Sequence, residues 1–247
     1  MNTIYILWQR QLIRFFRTKS RIIASLAQPV LFLVALGFGL GPVYAAAGKG
    51  NYIDFLAPGI IAMTILFSAV FTGMEIIWDK QFGFLKETLV APVSRFNIML
   101  GRTLGGATVA LMQGVLVFLI TLVIGFRPDW GGVIFAALFM FLIALLFSAF
   151  GTAVASKLED MQSFPLIINF VVMPIYFLSG AIFPVQGLNP ILNYIIRFNP
   201  LAYGVDGVRG ALTSAHVFNY GLDLGILVVV ALVIVAIGGY FFSRVEV

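Results

Sequence analysis

Six apolar runs, Ile22–Leu40, Phe55–Trp78, Ala107–Phe126, Val133–Ala155, Phe164–Phe183 and Leu224–Phe242, contain between them a single charged residue, Glu75. A hydrocarbon core of about 30 Å is crossed by roughly 20 apolar residues in a helix. Lipid also requires each backbone polar group to pair within its own segment. The expected fold is therefore an all-α membrane protein of six transmembrane helices, with residues 1–247 forming one membrane domain. The hydrophobic share of 61% and charged share of 10% agree, since soluble domains carry about 25% charged residues. With no cysteine in the chain, disulfides, thiolate metal sites and cysteine nucleophiles are excluded.

The net charge of +5 could signal nucleic-acid binding, but the placement of the charges points to membrane topology instead. Arg10, Arg14, Arg17, Lys19 and Arg21 precede the first run, and Lys80, Lys86, Arg95 and Arg102 lie between the second and third. Lys157 follows the fourth and Arg244 the sixth, whereas Lys49, Arg127, Arg197 and Arg209 fall on the other side. Eleven against four places both termini in the cytoplasm of a multi-pass cell-membrane protein. Five basic residues ahead of the first run, and Pro42 soon after it, do not fit a cleavable signal peptide.

The leader Thr3–Lys19 spaces Ile4, Leu7, Trp8, Gln11, Leu12, Phe15 and Phe16 helically, with Arg10, Arg14 and Arg17 opposite. This predicts an interfacial amphipathic helix within residues 1–21. Residues 79–97 lie in the longest cytoplasmic connection and mix both charge signs with interleaved apolar residues. They read as a short helix in which Phe84, Leu85, Leu89 and Val90 face the membrane domain while Lys86 and Glu87 point outward, ended by Pro92, with Ser94 capping the next helix. Either a docking element or a solvated linker fits such a segment, and its apolar content favours docking.

Beyond the fifth run, residues 184–215 are the main extracellular region. Asn189-Pro190 and Asn199-Pro200 each combine an N-cap with proline at the first helical position. Both helices are too short to cross, and either a re-entrant pair or a flat interfacial arrangement suits them. Gly101 with Gly105, and Ser148 with Gly151 and Thr152, mark places where helices can approach closely.

Catalytic signatures are missing. Neither Gly48-Lys49-Gly50 nor the glycines between Gly101 and Gly106 have phosphate-loop spacing. The single histidine, His216, has no acidic or cysteine partner nearby in sequence. Glu75 is an ionisable group inside a span, by default a functional candidate. It lies one turn from Trp78, Asp79 and Lys80, where an ion pair or snorkelling can satisfy it. Ion-coupled carriers place more charge at the midplane.

Three stretches, FLAPGIIAMTILFSAVFTGMEIIWDKQFG at Phe55–Gly83, FLKETLVAPVSRFNIMLGR at Phe84–Arg102, and LSGAIFPV with NPLAYGVDGVR at Leu178–Val185 and Asn199–Arg209, resemble type-2 ABC transporter permeases. These are the membrane subunits of drug, lipid and glycoconjugate exporters. The resemblance implies a non-enzymatic half-transporter that pairs with a second copy of itself. Two copies of a separate ATP-binding cassette subunit would carry ATP and Mg, with no cofactor or metal in this chain. It implies a coupling helix and ATPase interface at Asp79, Lys80, Phe82, Gly83, Phe84, Leu85, Glu87, Pro92, Ser94 and Arg95. Where the family is often richer in Glu and Arg before the glycine, this chain has Asp79, Lys80 and Gln81. The implied extracellular gate comprises Asn189, Pro190, Asn199, Pro200, Tyr203, Asp206 and Arg209. Spans without interior charge suit efflux of hydrophobic or amphipathic, drug-like or lipid-like cargo, as in multidrug export. Glycoconjugate export is the alternative, and ion-coupled transport through Glu75 a remoter one.

Overall fold

The computed structural model describes residues 3–48, 50–90, 92–185 and 189–245. Lys49 and the side chain of Arg21, both counted above, lie outside the described residues. The helices are α1 (Thr3–Arg17), α2 (Lys19–Ala46), α3 (Tyr52–Phe71), α4 (Met74–Gln81), α5 (Phe84–Val90), α6 (Arg95–Ile124), α7 (Val133–Lys157), α8 (Ser163–Ile167), α9 (Met173–Phe177), α10 (Pro190–Arg197), α11 (Pro200–Thr213) and α12 (Tyr220–Ser243). No strand occurs among the described residues.

Apolar residues on all sides of α3 suit a position enclosed by other helices rather than one stripe facing a core. Every residue from Leu56 to Leu66 is buried, and α2, α6, α7 and α11 pack around it. Hydrophobicity does not choose partners when lipid is equally apolar, so close packing decides. At the end of α3 the backbone of Gly73 meets that of Gly151 in α7, leaving no room for a Cβ on either residue. Beside this crossing the Ser148 hydroxyl donates to the Thr103 carbonyl of α6 at 2.9 Å. The Thr72 hydroxyl donates to the Ala69 carbonyl at 2.6 Å.

α1 packs lengthwise on α6. A Cβ on Gly101 would lie 3.0 Å from the Ile4 carbonyl oxygen, and one on Gly105 only 2.7 Å from Gln11 Cγ. The Trp8 indole N–H donates to Thr108 Oγ1 at 3.0 Å, with Leu7 and Phe15 buried. The leader's apolar face is thus partly used on the protein itself.

Among the described residues, five helical stretches are long and apolar enough to cross a membrane: Ile22–Ala46, Tyr52–Gln81, Arg95–Ile124, Trp130–Lys157 and Tyr220–Ser243. The expected fifth span, Phe164–Phe183, needs correcting, because its helical part covers only Ser163–Phe177. That stretch rises about 22 Å at 1.5 Å per residue. Pro174 removes an amide donor from the ladder, and the turn just before it widens to a π-helix over Ile168–Val172, the usual accommodation of such a defect. The helix then stops at Phe177, and Gly180 takes φ +74° in the following turn.

The chain flanking this short helix carries hydrogen bonds at both ends of the bundle, at Leu158 and at Ile182. At one end the Lys80 ammonium donates to the carbonyls of Ser156 at 2.7 Å and Leu158 at 3.2 Å, joining α4 to the exit of α7. At the other end the Tyr52 hydroxyl, at the start of α3, donates to the Ile182 carbonyl at 2.9 Å. The Asp129 amide, ahead of α7, donates to the Leu212 carbonyl at 2.7 Å.

Candidate functional sites at the two ends of the bundle

A buried ionic knot gathers at the end where α3 gives way to α4. Arg102 of α6 donates to Asp79 Oδ2 at 2.6 Å, with both side chains about 5% exposed or less. Arg10 of α1 stands 3.7 Å from the same oxygen. One turn earlier Arg14 donates to Glu75 at 3.1 Å. Two arginines expected to face headgroups are therefore tied to α4.

Gly83 connects this knot to α5 with φ +79°, and nothing lies within 4 Å of where its Cβ would be. Glycine is favoured here for its left-handed backbone alone. The expected inward face of α5 also needs correction. Leu85 is fully buried and Leu89 packs on the core, but Phe84 and Val90 are exposed, at 54% and 85%. At 3.6 residues per turn Leu89 lies only about 40° from Leu85, whereas Phe84 and Val90 lie about 100° and 140° away. Phe82 and Glu87 are exposed as well. Pro92 sits in the bend after α5, and Ser94 Oγ accepts from the Asn97 amide at 3.2 Å, capping α6. Arg95 donates to the carbonyls of Ser243 and Val245 at 2.8 and 2.9 Å, fastening the exit of α12.

Of the residues implied for an ATPase interface, the structure thus divides two groups. Phe82, Phe84, Glu87, Pro92, Ser94 and Arg95 lie at the surface, while Asp79, Leu85 and half-buried Lys80 hold the segment from behind. Nearby, the Ser163 amide and hydroxyl reach Asp160 at 2.7 and 2.8 Å and hold its carboxyl below the usual range.

At the opposite end the polar residues tie backbone together. Asn189 and Asn199 accept from the Ile191 and Leu201 amides, each at 3.0 Å, and cap α10 and α11, with Pro190 and Pro200 in the first turn. The Asn199 amide group also donates to the carbonyls of Ile175 at 2.6 Å and Leu178 at 2.9 Å, closing the frayed end of α9. The Tyr203 hydroxyl donates to the Arg197 carbonyl at 2.7 Å, and burial pushes its acidity down, raising the phenol above its ordinary pKa. Asp206 accepts from the Val217 and Phe218 amides at 2.7 to 2.9 Å. The Arg209 guanidinium donates to the Gly180 carbonyl at 2.9 Å and lies 4.1 Å above the Phe55 ring. α11, buried from Leu201 to Leu212 among α3, α7 and α12, is thus not laid flat on the surface, whereas α10 is largely exposed. His216 is exposed against Tyr220.

Among the buried polar residues that carry no signal in the sequence, Asp223 and Gln113 stand out. Asp223 is fully buried, and neither carboxylate oxygen has a partner among the described residues. Gln113 of α6 is 4% exposed. Asp223 falls just before the run Leu224–Phe242, and Gln113 is neutral, so a search for charge within runs passes over both.

The description "ABC-2 type transporter" matches residues 2–213, most of the chain. The chain belongs to the ABC-2 type transporter family. It is 25% identical to the putative transport permease ycf38 of Cyanophora paradoxa, over 99% of this chain and 89% of that protein. The corresponding Porphyra purpurea protein is 28% identical over the same shares. Nodulation protein J of Rhizobium leguminosarum bv. viciae is 27% identical over 89% of this chain and 86% of its own length. An ABC-2 membrane subunit is a transport permease whose ATPase resides on a partner, and the five long apolar helices fit a multi-pass membrane protein.

Proposed function

We propose that the chain is the permease subunit of an ATP-driven exporter of hydrophobic or amphipathic, drug-like or lipid-like compounds. It works as two copies with two ATPase subunits. Both termini face the cytoplasm, because Arg10, Arg14, Lys80, Arg95, Arg102, Lys157 and Arg244 collect at one end of the bundle. α8, α9 and the turn after them serve as the sixth passage, since they connect the two ends. α1 is the interfacial helix, and α10 with α11 caps the outer end.

The observation that carries the coupling role is the contrast within α4–α5. Exposed Phe82 and Phe84 stand on a base anchored by buried Leu85 and the Asp79–Arg102 pair. An apolar surface on a rigid support suits insertion into a partner's groove, where closure of the ATPases would tilt helices. Phe84→Asp, in a complex assembled with the ATPase subunits, is expected to abolish ATP-driven transport in proteoliposomes while leaving the melting temperature unchanged. Full coupling in that variant would refute the assignment. Transport of a saccharide-bearing lipid but not of apolar dyes would shift the cargo to glycoconjugates. Glu75 is held by Arg14 at the end of the bundle, which supports a structural use over ion coupling.

A further inference from the structure

We propose, as a deepening of the export reading on which it rests, that a cavity between the α1–α2 elbow, α3 and α6 holds one drug-sized amphiphile of no net charge, zwitterionic or uncharged, with its polar end at the Arg14–Glu75 pair and its body against Gln113. The cavity measures about 520 Å³ and is lined along its length by Arg14, Glu75, Phe67, Phe71, Val109 and Gln113. Ligand pockets for drug-sized molecules run from about 300 to 1,000 Å³ and combine apolar walls with a few placed polar groups.

Gln113 provides the decisive observation. Its side chain carries two donors and an acceptor, is 4% exposed, lines the cavity, and has no hydrogen-bond partner among the described residues. An amide that faces the cavity without a partner on the protein is open to a guest's donor or acceptor. Other polar side chains of the same wall are already satisfied by their own helices. Thr64 donates to the Ile60 carbonyl at 2.9 Å and Thr72 to the Ala69 carbonyl at 2.6 Å. Gln113 alone among these three keeps its capacity for a guest.

The charge class follows from the other end of the cavity. Arg14 and Glu75 neutralise each other at 3.1 Å, and Arg10 beyond them leans on Asp79. The pair stands at the mouth of the cavity, with the Arg14 side chain 45% exposed, so a net-charged guest meets one attractive and one repulsive group there, whereas a zwitterion or a neutral polar group can pair with both members. Between the two polar ends, Phe67, Phe71 and Val109 offer only apolar surface. Thr64 and Glu75 are separated by about 16 Å of helix, which suits an extended molecule with a polar head and a second hydrogen-bonding group on its body.

The chain contains no cysteine, so a single introduced thiol reports on the site. In full-length protein reconstituted in nanodiscs, Ser68→Cys places a thiol on the cavity wall. Its reaction with N-ethylmaleimide is followed with CHAPS, a zwitterionic steroid amphiphile, kept below its micelle concentration. Labelling is expected to slow in a saturable manner. Cholate, with an anionic group on a similar steroid body, should need about tenfold more for the same protection. Gln113→Leu should raise the protecting CHAPS concentration by about tenfold, one buried hydrogen bond. Val109→Phe, which narrows the cavity from its apolar wall, should also raise the protecting concentration, so the test survives if the Gln113 variant fails to fold. Ala215→Cys, exposed at the far end, should label at an unchanged rate.

Absence of saturable protection overturns the proposal. So does protection that ignores head-group charge and both variants, since that is bilayer partitioning. ATP-driven transport without CHAPS protection refutes the site alone. Protection without transport in the assembled complex refutes the export reading and leaves the binding site standing.

Discussion

Removing one partner of the Asp79–Arg102 pair should reveal an asymmetry that the geometry dictates. Asp79→Ala leaves Arg102 charged and about 5% exposed, and no second carboxylate is paired with it among the described residues. Loss of one partner of a buried pair costs about 3–5 kcal/mol. Arg102→Met instead leaves Asp79 with Arg10, which already stands 3.7 Å away on a side chain 45% exposed and free to close in. That variant should therefore lose about 1–2 kcal/mol less. Replacing both with apolar residues, Asp79→Leu with Arg102→Met, removes the uncompensated charge and should fall within about 1 kcal/mol of the parent, as swaps of buried pairs often do. At about 2–4 °C per kcal/mol for a chain of this size, Asp79→Ala should melt about 6–20 °C lower. The assay is thermal unfolding of the nanodisc-embedded protein, followed by circular dichroism. A loss of under about 2 °C for Asp79→Ala, or a larger loss for Arg102→Met, would refute the claim that Arg10 stands in reserve.

Gly105→Val drives a side chain into Gln11 and should cost about 1–3 kcal/mol by overpacking, read as protease sensitivity of the N-terminal helix before global melting. Asn199→Ala removes a cap and orphans two carbonyls, so about 2–4 kcal/mol should be lost, with hydrogen exchange rising at Phe177 and Leu178 in particular. Asp160, held below its ordinary pKa by Ser163, stabilises the fold above the unfolded carboxyl's value of about 3.9, and that contribution disappears as pH falls through the lower folded value. Asp160→Asn should accordingly melt below the parent at pH 7, and the two curves should merge in strong acid.

The long helices were legible because spans must be apolar over their whole length, and caps were legible because Ser94, Asn189 and Asn199 precede their helices directly. The fifth run misled for a physical reason: hydropathy does not register that Pro174 forces a wide turn or that the chain bends at Gly180. Apolar character alone points Phe84 and Val90 inward, yet a two-turn helix has only one inner stripe, and Leu85 and Leu89 occupy it. Arg10, Arg14 and Arg102 read as topology signals. Their pairing with Glu75 and Asp79 depends on α1 lying along the glycines of α6, a long-range packing that local spacing does not encode. Gln113 escaped notice because its importance lies in the lack of a partner, visible only once its surroundings are known.

The Lys80 clasp selects which neighbour feels a displacement first. Its ammonium grips two carbonyls at the exit of α7, and within about two turns α7 rests on Gly73 with bare backbone at Gly151. A shove on α5 therefore arrives at α7 as a pull on its tail about a nearby fulcrum. α7, rather than the α3 that precedes α4 in the chain, is cast as the rocker arm linking the α4–α5 end of the bundle to α11 at the far side.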